Sequence, residues 1–197
     1  MTIRKGSEWG SPYEVTGTEV VAHSDAEAMA SIGLALDHSE VPAPVVLRGG
    51  DLFQMLGGRP ADPPQRFPID VVEVTADGRS FRAVAHVVVR RQVWSGPFVV
   101  AMNAASLGEW NLGPRAHPND GLLDITEGSL GVRERVQARS RARTGSHLPH
   151  PSLRTRRVAA AEFTFDRPMP LLVDGEQVGT CTELQLTIVP DAATVVI

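Results

Sequence analysis

The sequence predicts an α+β chain that is mainly β, with a small αβα piece at the front and a β-sandwich-like body behind it. Three observations predict this. Apolar residues recur at helical spacing early, at Met29, Ile32 and Leu36. Later, short apolar runs alternate with turn pairs such as Asp77-Gly78 and Asp174-Gly175. Aromatic residues make up only 5% of the chain, so its core has to be built from Val, Leu, Ile and Ala.

Residues 1–17 are Gly- and Ser-rich with little periodicity and predict a loop or loose arm. Ser24 with Glu27 three residues on forms a capping-box pattern, so a helix is expected over 25–38. Pro42 and Pro44 end it. Val45, Val46 and Leu47 read as a short buried strand. Gly49-Gly50 reads as a turn, and 51–56 as helical turns closed by Gly57-Gly58. Three prolines in 59–66 mark a connector. This divides the chain into an arm and αβα piece (1–58) and a β-rich domain (59–197). Seven or eight strands are expected in the latter, over 69–75, 80–91, 98–103, 122–126, 158–165, 171–174, 184–189 and 194–197. A basic helix is expected over 132–143.

The chain has 197 residues, 42% apolar and 21% charged, and mean hydropathy is near zero, as in ordinary soluble globular proteins. A net charge of -4 argues against nucleic acid as a main partner. Cys181 is the single cysteine, which excludes an intramolecular disulfide and a cysteine-based zinc site and suggests a cytoplasmic, reducing setting. No signal-like h-region opens the sequence, and no run of about 18 apolar residues occurs, so no membrane span is expected. Charge is uneven, because residues 133–157 hold eight arginines against one acid, Glu134. This stretch is either a solvated face or a patch for phosphate or anionic lipid headgroups around Arg154, Arg156 and Arg157, with peripheral membrane contact.

Three turn segments carry candidate chemistry. His117-Pro118-Asn119-Asp120-Gly121-Leu122 is a turn whose Asp120 carboxylate, with backbone carbonyls, could serve a hard cation such as Mg²⁺. On local grounds alone it is a generic Asn-Asp-Gly turn, since one carboxylate is too little to argue a cation site from spacing. Asp174-Gly175-Glu176 is a tight hairpin or a carboxylate general base. Gly49-Gly50-Asp51, between a strand and a helix, is a plain turn or a weak phosphate cradle. His147 and His150 lie three apart, but Pro149 and Pro151 oppose a shared helical face for zinc. No nucleophile elbow, P-loop or dinucleotide fingerprint is present.

In order, these pieces resemble the diacylglycerol kinase/sphingosine kinase family, which includes bacterial lipid kinases. The segment NLGPRAHPNDGLLD at 111–124 is similar to that family's "APxAxPDDGLLDV". Residues 172–176 resemble its "VDGE" turn, residues 184–197 its "VxPxALxVxV" close, and Ile69-Asp70-Val71 its "iDlg" strand. The resemblance covers roughly 44–197. It implies a general base at Glu176, with Asp174 beside it in the same turn, and Mg²⁺ at His117, Asp120 and Leu122, the first and last through backbone carbonyls. Its first phosphate loop, "GGDGT", has no counterpart before the helix at Asp25. Its second, "GTGNDLARxLG", is eroded over 47–57: Arg48 stands at the Thr position, Gly50 at the Asn position and Gln54 at the Arg position, while Asp51 and the Leu-Gly ending remain.

Phosphoryl transfer needs the phosphates positioned and their charge stabilised. The resemblance therefore implies the substrate-side lobe of a lipid kinase without its ATP side. Two functions are expected from it. One is a non-catalytic protein that binds a lipid or anionic small molecule, or serves another protein as an accessory, with ATP not bound by the isolated chain. The other is a lipid kinase whose ATP site is completed by a partner chain. A ligand-free subunit that self-associates through sheet edges is a third.

Overall fold

The computed structural model describes residues 9–197. Of the expected arm, residues 1–8 lie outside the described residues. The front half contains β1 (Ser11–Pro12), β2 (Val20–Ala22), α1 (Asp25–Asp37), β3 (Val45–Leu47) and α2 (Asp51–Met55). The β-rich part follows as β4 (Gln65–Ala76), β5 (Arg79–Ala83), β6 (His86–Val89), β7 (Pro97–Met102), a small hairpin of β8 (Ser106–Leu107) and β9 (Trp110–Asn111), and β10 (Leu123–Ser129). It ends with α3 (Val132–Ala142), β11 (Leu153–Val158), β12 (Ala160–Val173) and β13 (Glu176–Val196). The fold is α+β and mainly β, with a sandwich-like body.

One hydrogen-bonded path runs β1-β4-β13-β12-β6-β7-β10-β11, and β5 adds to β4. The 21-residue β13 is its hub, pairing with β12 and β4 as an antiparallel strand. Near its end Val195 and Val196 pair in parallel with Val45 and Val46 of β3, which pairs in parallel with β2. The αβα piece expected over 1–58 is thus hydrogen-bonded into the same sheet as the β-rich part.

Two expected pairs of strands are single bent ones. Strand β13 shifts register between Val189 and Ala193, where Asp191 takes a left-handed φ of 53°. Strand β12 is irregular between Thr164 and Met169, where Pro168 has no N–H to donate. Conversely, the strand expected over 80–91 is broken at Val84 and Ala85, whose N–H groups leave the ladder for the Asp174 carboxylate. Strands β1, β2, β8, β9 and β11 were not expected, β1 falling within the expected loop over 1–17.

Side-chain alternation assigns each face of the sheet a core. Val87 and Val89 of β6 enter the main core with Val72, Val74, Leu171, Leu184 and Leu186. Val88 points the other way, with Val100 and Met102, toward α3 and the β8–β9 hairpin. On α1, Ala28, Met29 and Ile32 pack with Leu52 and Phe53 of α2 against Ile69, Val71 and Val195. The capping box forms: Ser24 Oγ accepts the Glu27 N–H at 3.1 Å, and Glu27 accepts the His23 N–H at 2.7 Å. Each fully buried Val or Leu contributes on the order of 1.5–3 kcal/mol.

Cys181 lies in the main core with no exposed surface, and burial pushes its thiol up to about 11. The thiolate is the reactive form, so it is scarce at mildly alkaline pH. Ellman's reagent is expected to leave the native protein unlabelled and to label it fully in concentrated guanidinium. Rapid labelling of the native protein would contradict this packing.

Candidate functional site

Strands β2 and β3 lie side by side, and each runs into a helix through a turn that ends on an aspartate. Where no phosphate loop was expected ahead of Asp25, the chain does form a strand-to-helix turn, His23-Ser24-Asp25, but without glycine. The two turns touch. A Cβ on Gly49 would stand 2.2 Å from the His23 carbonyl oxygen, and one on Gly50 would stand 2.5 Å from the Asp25 carboxylate. Gly50 also has a φ of 95°. Both glycines are therefore required by the contact between the turns.

The contact is made by Asp25. Its carboxylate accepts the Asp51 N–H at 2.6 Å and the Leu52 N–H at 3.1 Å. These are the first free N–H groups of α2, the donors that a phosphate would otherwise use. Asp51 accepts the Gly108 N–H through Oδ1 at 2.8 Å and meets His86 Nε2 through Oδ2 at 2.9 Å. Burial, then the nearby Asp174 carboxylate, push the Asp25 carboxyl up to about 6. Burial pulls the His86 pKa down, but its hydrogen bond to Asp51 and the surrounding carboxylates outweigh this and raise it.

Asp174 and Gly175 both have positive φ, 47° and 85°, the backbone of a two-residue hairpin turn between β12 and β13. Asp174 points inward. Its carboxylate accepts the N–H groups of Val84, Ala85 and His86 at 2.8, 2.9 and 3.0 Å. Glu176 points outward and is exposed. It stands at a groove of about 540 Å³ between α1 and the strands β4, β5, β12 and β13, where Ala30, Gly33, Glu73 and Arg82 also face the opening. Asp174 lines the same groove, so the two acids of this turn differ in burial and in partners.

The loop at 117–124 is pinned by Asp70, which is fully buried on β4. Asp70 accepts the Gly121 N–H at 2.7 Å and the Asp191 N–H at 2.9 Å, and its own N–H donates to the Pro118 carbonyl at 2.7 Å. His117 is half-buried against Trp9, and burial lowers its pKa. Asp120 accepts the Leu122 N–H at 3.0 Å through Oδ1, while its Oδ2 is paired with the Arg157 guanidinium. Arg157 Nε also lies 3.1 Å from Asp124 Oδ1. The one carboxylate through which the resemblance implies Mg²⁺ therefore already carries a cation. As it stands, the loop does not fit a dication that needs open oxygen ligands.

The basic stretch is divided between a helix and a strand. Arg154, Arg156 and Arg157 lie on β11, where Arg157 faces Asp120 and Asp124. Arg156 lies over the Phe163 ring, and Arg154 and Arg156 both approach Glu127 at about 4 Å. Between α3 and the sheet there is an apolar cavity of about 370 Å³. Trp94, Phe98 and Trp110 line it, with Trp94 edge-on to both of the others. His147 lines it too, buried and with Nδ1 unpartnered, and burial lowers its pKa. His150 instead accepts the Ser152 N–H, so the two histidines serve different contacts.

Asp25, His86 and Asp70 were missed as site residues. Asp25 reads in sequence only as a first-turn acid behind Ser24. His86 gives one signal, as the single polar residue in the run from Val84 to Val89.

The two acids of the β12–β13 turn should respond oppositely to substitution. Asp174→Asn is expected to destabilise the protein by about 2–4 kcal/mol in denaturant unfolding, because three buried N–H groups lose a carboxylate. Glu176→Gln is expected to stay within about 0.5 kcal/mol of wild type. Equal, small effects would contradict the buried role of Asp174.

Comparisons with known proteins agree with this architecture. Curated proteins give no match. One solved structure of a Bacillus anthracis str. Sterne protein, provisionally described as a diacylglycerol kinase, superposes with a TM-score of 0.62 at 14% identity. That match covers 89% of this chain and 76% of the other. A second, with the same provisional description and organism, gives 0.63 at 13% identity over the same shares. A third from that organism, described as a diacylglycerol kinase, gives 0.53 at 13% identity, over 78% and 66%. Identities this low show a common fold. The family model described as the YegS C-terminal NAD kinase beta sandwich-like domain matches residues 65–197. This span is most of the chain, so the chain belongs to that family.

Proposed function

We propose that this protein is a diacylglycerol kinase-like binding protein. It takes up an amphiphile with an apolar tail and an anionic head, and does not transfer phosphate by itself. The cavity beneath α3 carries this reading. Its volume lies in the range of small-molecule sites, and its walls are aromatic and aliphatic with few polar groups. Val93, Val132 and Val136 line it and are 76%, 70% and 70% exposed, so an apolar lip surrounds the opening. Arg135 and Arg139 line it as well, and the Arg139 guanidinium lies 5.7 Å from the centroid of the Trp110 ring. Apolar lip and arginines together suit an anionic lipid surface. His147, neutral at pH 7, offers a buried hydrogen-bonding atom to a ligand. The engagement of the α2 N–H groups by Asp25 supports the non-catalytic half of the proposal.

A second reading is a lipid kinase, an ATP-dependent phosphotransferase to a lipid hydroxyl, whose ATP site is completed by another chain. One observation favours it: Glu176 faces an open groove with its carboxylate exposed, as a base taking a hydroxyl proton requires. Mg²⁺ would then have to displace Arg157 from Asp120.

A fluorescent lysophosphatidic acid separates these readings. Wild type is expected to bind it, and Ala138→Trp, which fills the cavity from α3, to weaken binding at least roughly tenfold while the melting temperature stays close to wild type. Equal binding by both proteins would place the ligand elsewhere and overturn the proposal. Radiolabelled phosphate transfer to the same lipid by wild type, abolished in Glu176→Gln, would establish the second reading instead.

A further inference from the structure

Asp25, Asp51 and His86 each offer one ligand atom, and those atoms lie within 4.8 Å of one another. They come from three places in the fold: the β2–α1 turn, the β3–α2 turn and the first residue of β6. We infer that they form a site for a divalent transition ion, such as Zn²⁺ or Mn²⁺, that ties the two N-terminal turns to the β-rich body. The inference stands apart from the lipid-binding reading and uses none of the cavity residues.

Charge balance is the first argument. Asp25, Asp51 and Asp174 gather around one imidazole, and Asp25, His86 and Asp174 are at least nine-tenths buried. Among the described residues no Lys or Arg pairs with any of the three carboxylates; the ion pair found there is that of His86 with Asp51. Buried carboxylates need a compensating charge, and with all three ionised even a protonated imidazole leaves the group negative. Backbone N–H groups on Asp25 and Asp174 relieve part of this. A dication would remove the rest.

The imidazole is the second argument. His86 is 1% exposed, and its Nδ1 has no hydrogen-bond partner. Nε2 faces Asp51 Oδ2 at 2.9 Å, so it is the nitrogen that would ligate an ion shared with the two aspartates, the ion replacing the proton between them. Asp25 and Asp51 oxygens each keep a second lone-pair site beyond the N–H they accept. Ligand distances of about 2.0–2.2 Å mean that small inward movements would close the set on one ion. A nitrogen ligand beside carboxylates favours Zn²⁺ or Mn²⁺ over Ca²⁺ and Mg²⁺, which take oxygen alone.

The whole chain, stripped with chelator, would be titrated with Zn²⁺, Mn²⁺, Co²⁺ and Mg²⁺ by calorimetry, with the melting temperature and the Co²⁺ visible spectrum as separate readouts. Wild type is expected to bind about one transition ion per chain and to melt at a higher temperature with it. His86→Gln and Asp51→Asn are expected to weaken binding by roughly 10–100-fold and to lose the Co²⁺ band. Asp120→Asn is expected to retain both. Absence of transition-ion binding by wild type would overturn the inference. So would binding unchanged in both His86→Gln and Asp51→Asn, which would point to His147 and His150. Loss of the lipid-binding reading would leave these outcomes as they stand.

Discussion

The carboxylate of Asp25 holds the front of the molecule together. It reaches from the first turn of α1 to the first two N–H groups of α2, and the two strand-to-helix turns close around it. Gly49 and Gly50 follow from that contact, since a Cβ at either position would collide with the neighbouring turn. Asp51 is then turned toward His86, and His86 toward the group centred on Asp174, whose carboxylate gathers three N–H groups at the break between β5 and β6. A chain of buried polar contacts thus runs from the parallel turns to the β12–β13 hairpin. An unmet buried polar group costs more than a hydrogen bond contributes, and His86 Nδ1 is the atom of this chain left without a partner.

The same contact bears on function. A helix N-terminus can receive a phosphate only while its N–H groups are free. Here a side chain of the same protein takes them. Beneath α3 an aromatic-lined cavity opens through a lip of exposed valines. An apolar cavity in the sandwich-like body therefore coexists with a strand-to-helix pair in which Asp25 takes the first two N–H donors of α2.

Much of the fold was legible because it rests on local signals. Ser24 and Glu27 marked the start of α1, and Asp77-Gly78 and Asp174-Gly175 marked two hairpins. What failed was non-local. The break at Val84 and Ala85 is imposed by a carboxylate ninety residues away in sequence from Val84. The bend in β13 is set at Asp191, whose N–H donates to Asp70 on β4. Strand β11 was hidden because its alternating arginines read as solvated charge, whereas Arg157 faces the acids of the 117–124 loop. Of the candidate site, the residue types in the turns were visible, but not their partners. Asp174 and Glu176 lie two apart in sequence, yet one is buried on three N–H groups and the other is exposed. Asp25 looked like a capping acid, and only the approach of the second turn gives it a further role.

Titration calorimetry with Mg-ATP tests the central claim most directly, because it asks whether the two turns can hold phosphates at all. Wild type is expected to show no binding at micromolar nucleotide, and Asp25→Asn, which keeps the shape of the side chain, is expected to show none or only weak binding. Micromolar affinity of the wild-type chain for Mg-ATP would contradict the account, since the donors that Asp25 occupies would then have to be available to the nucleotide.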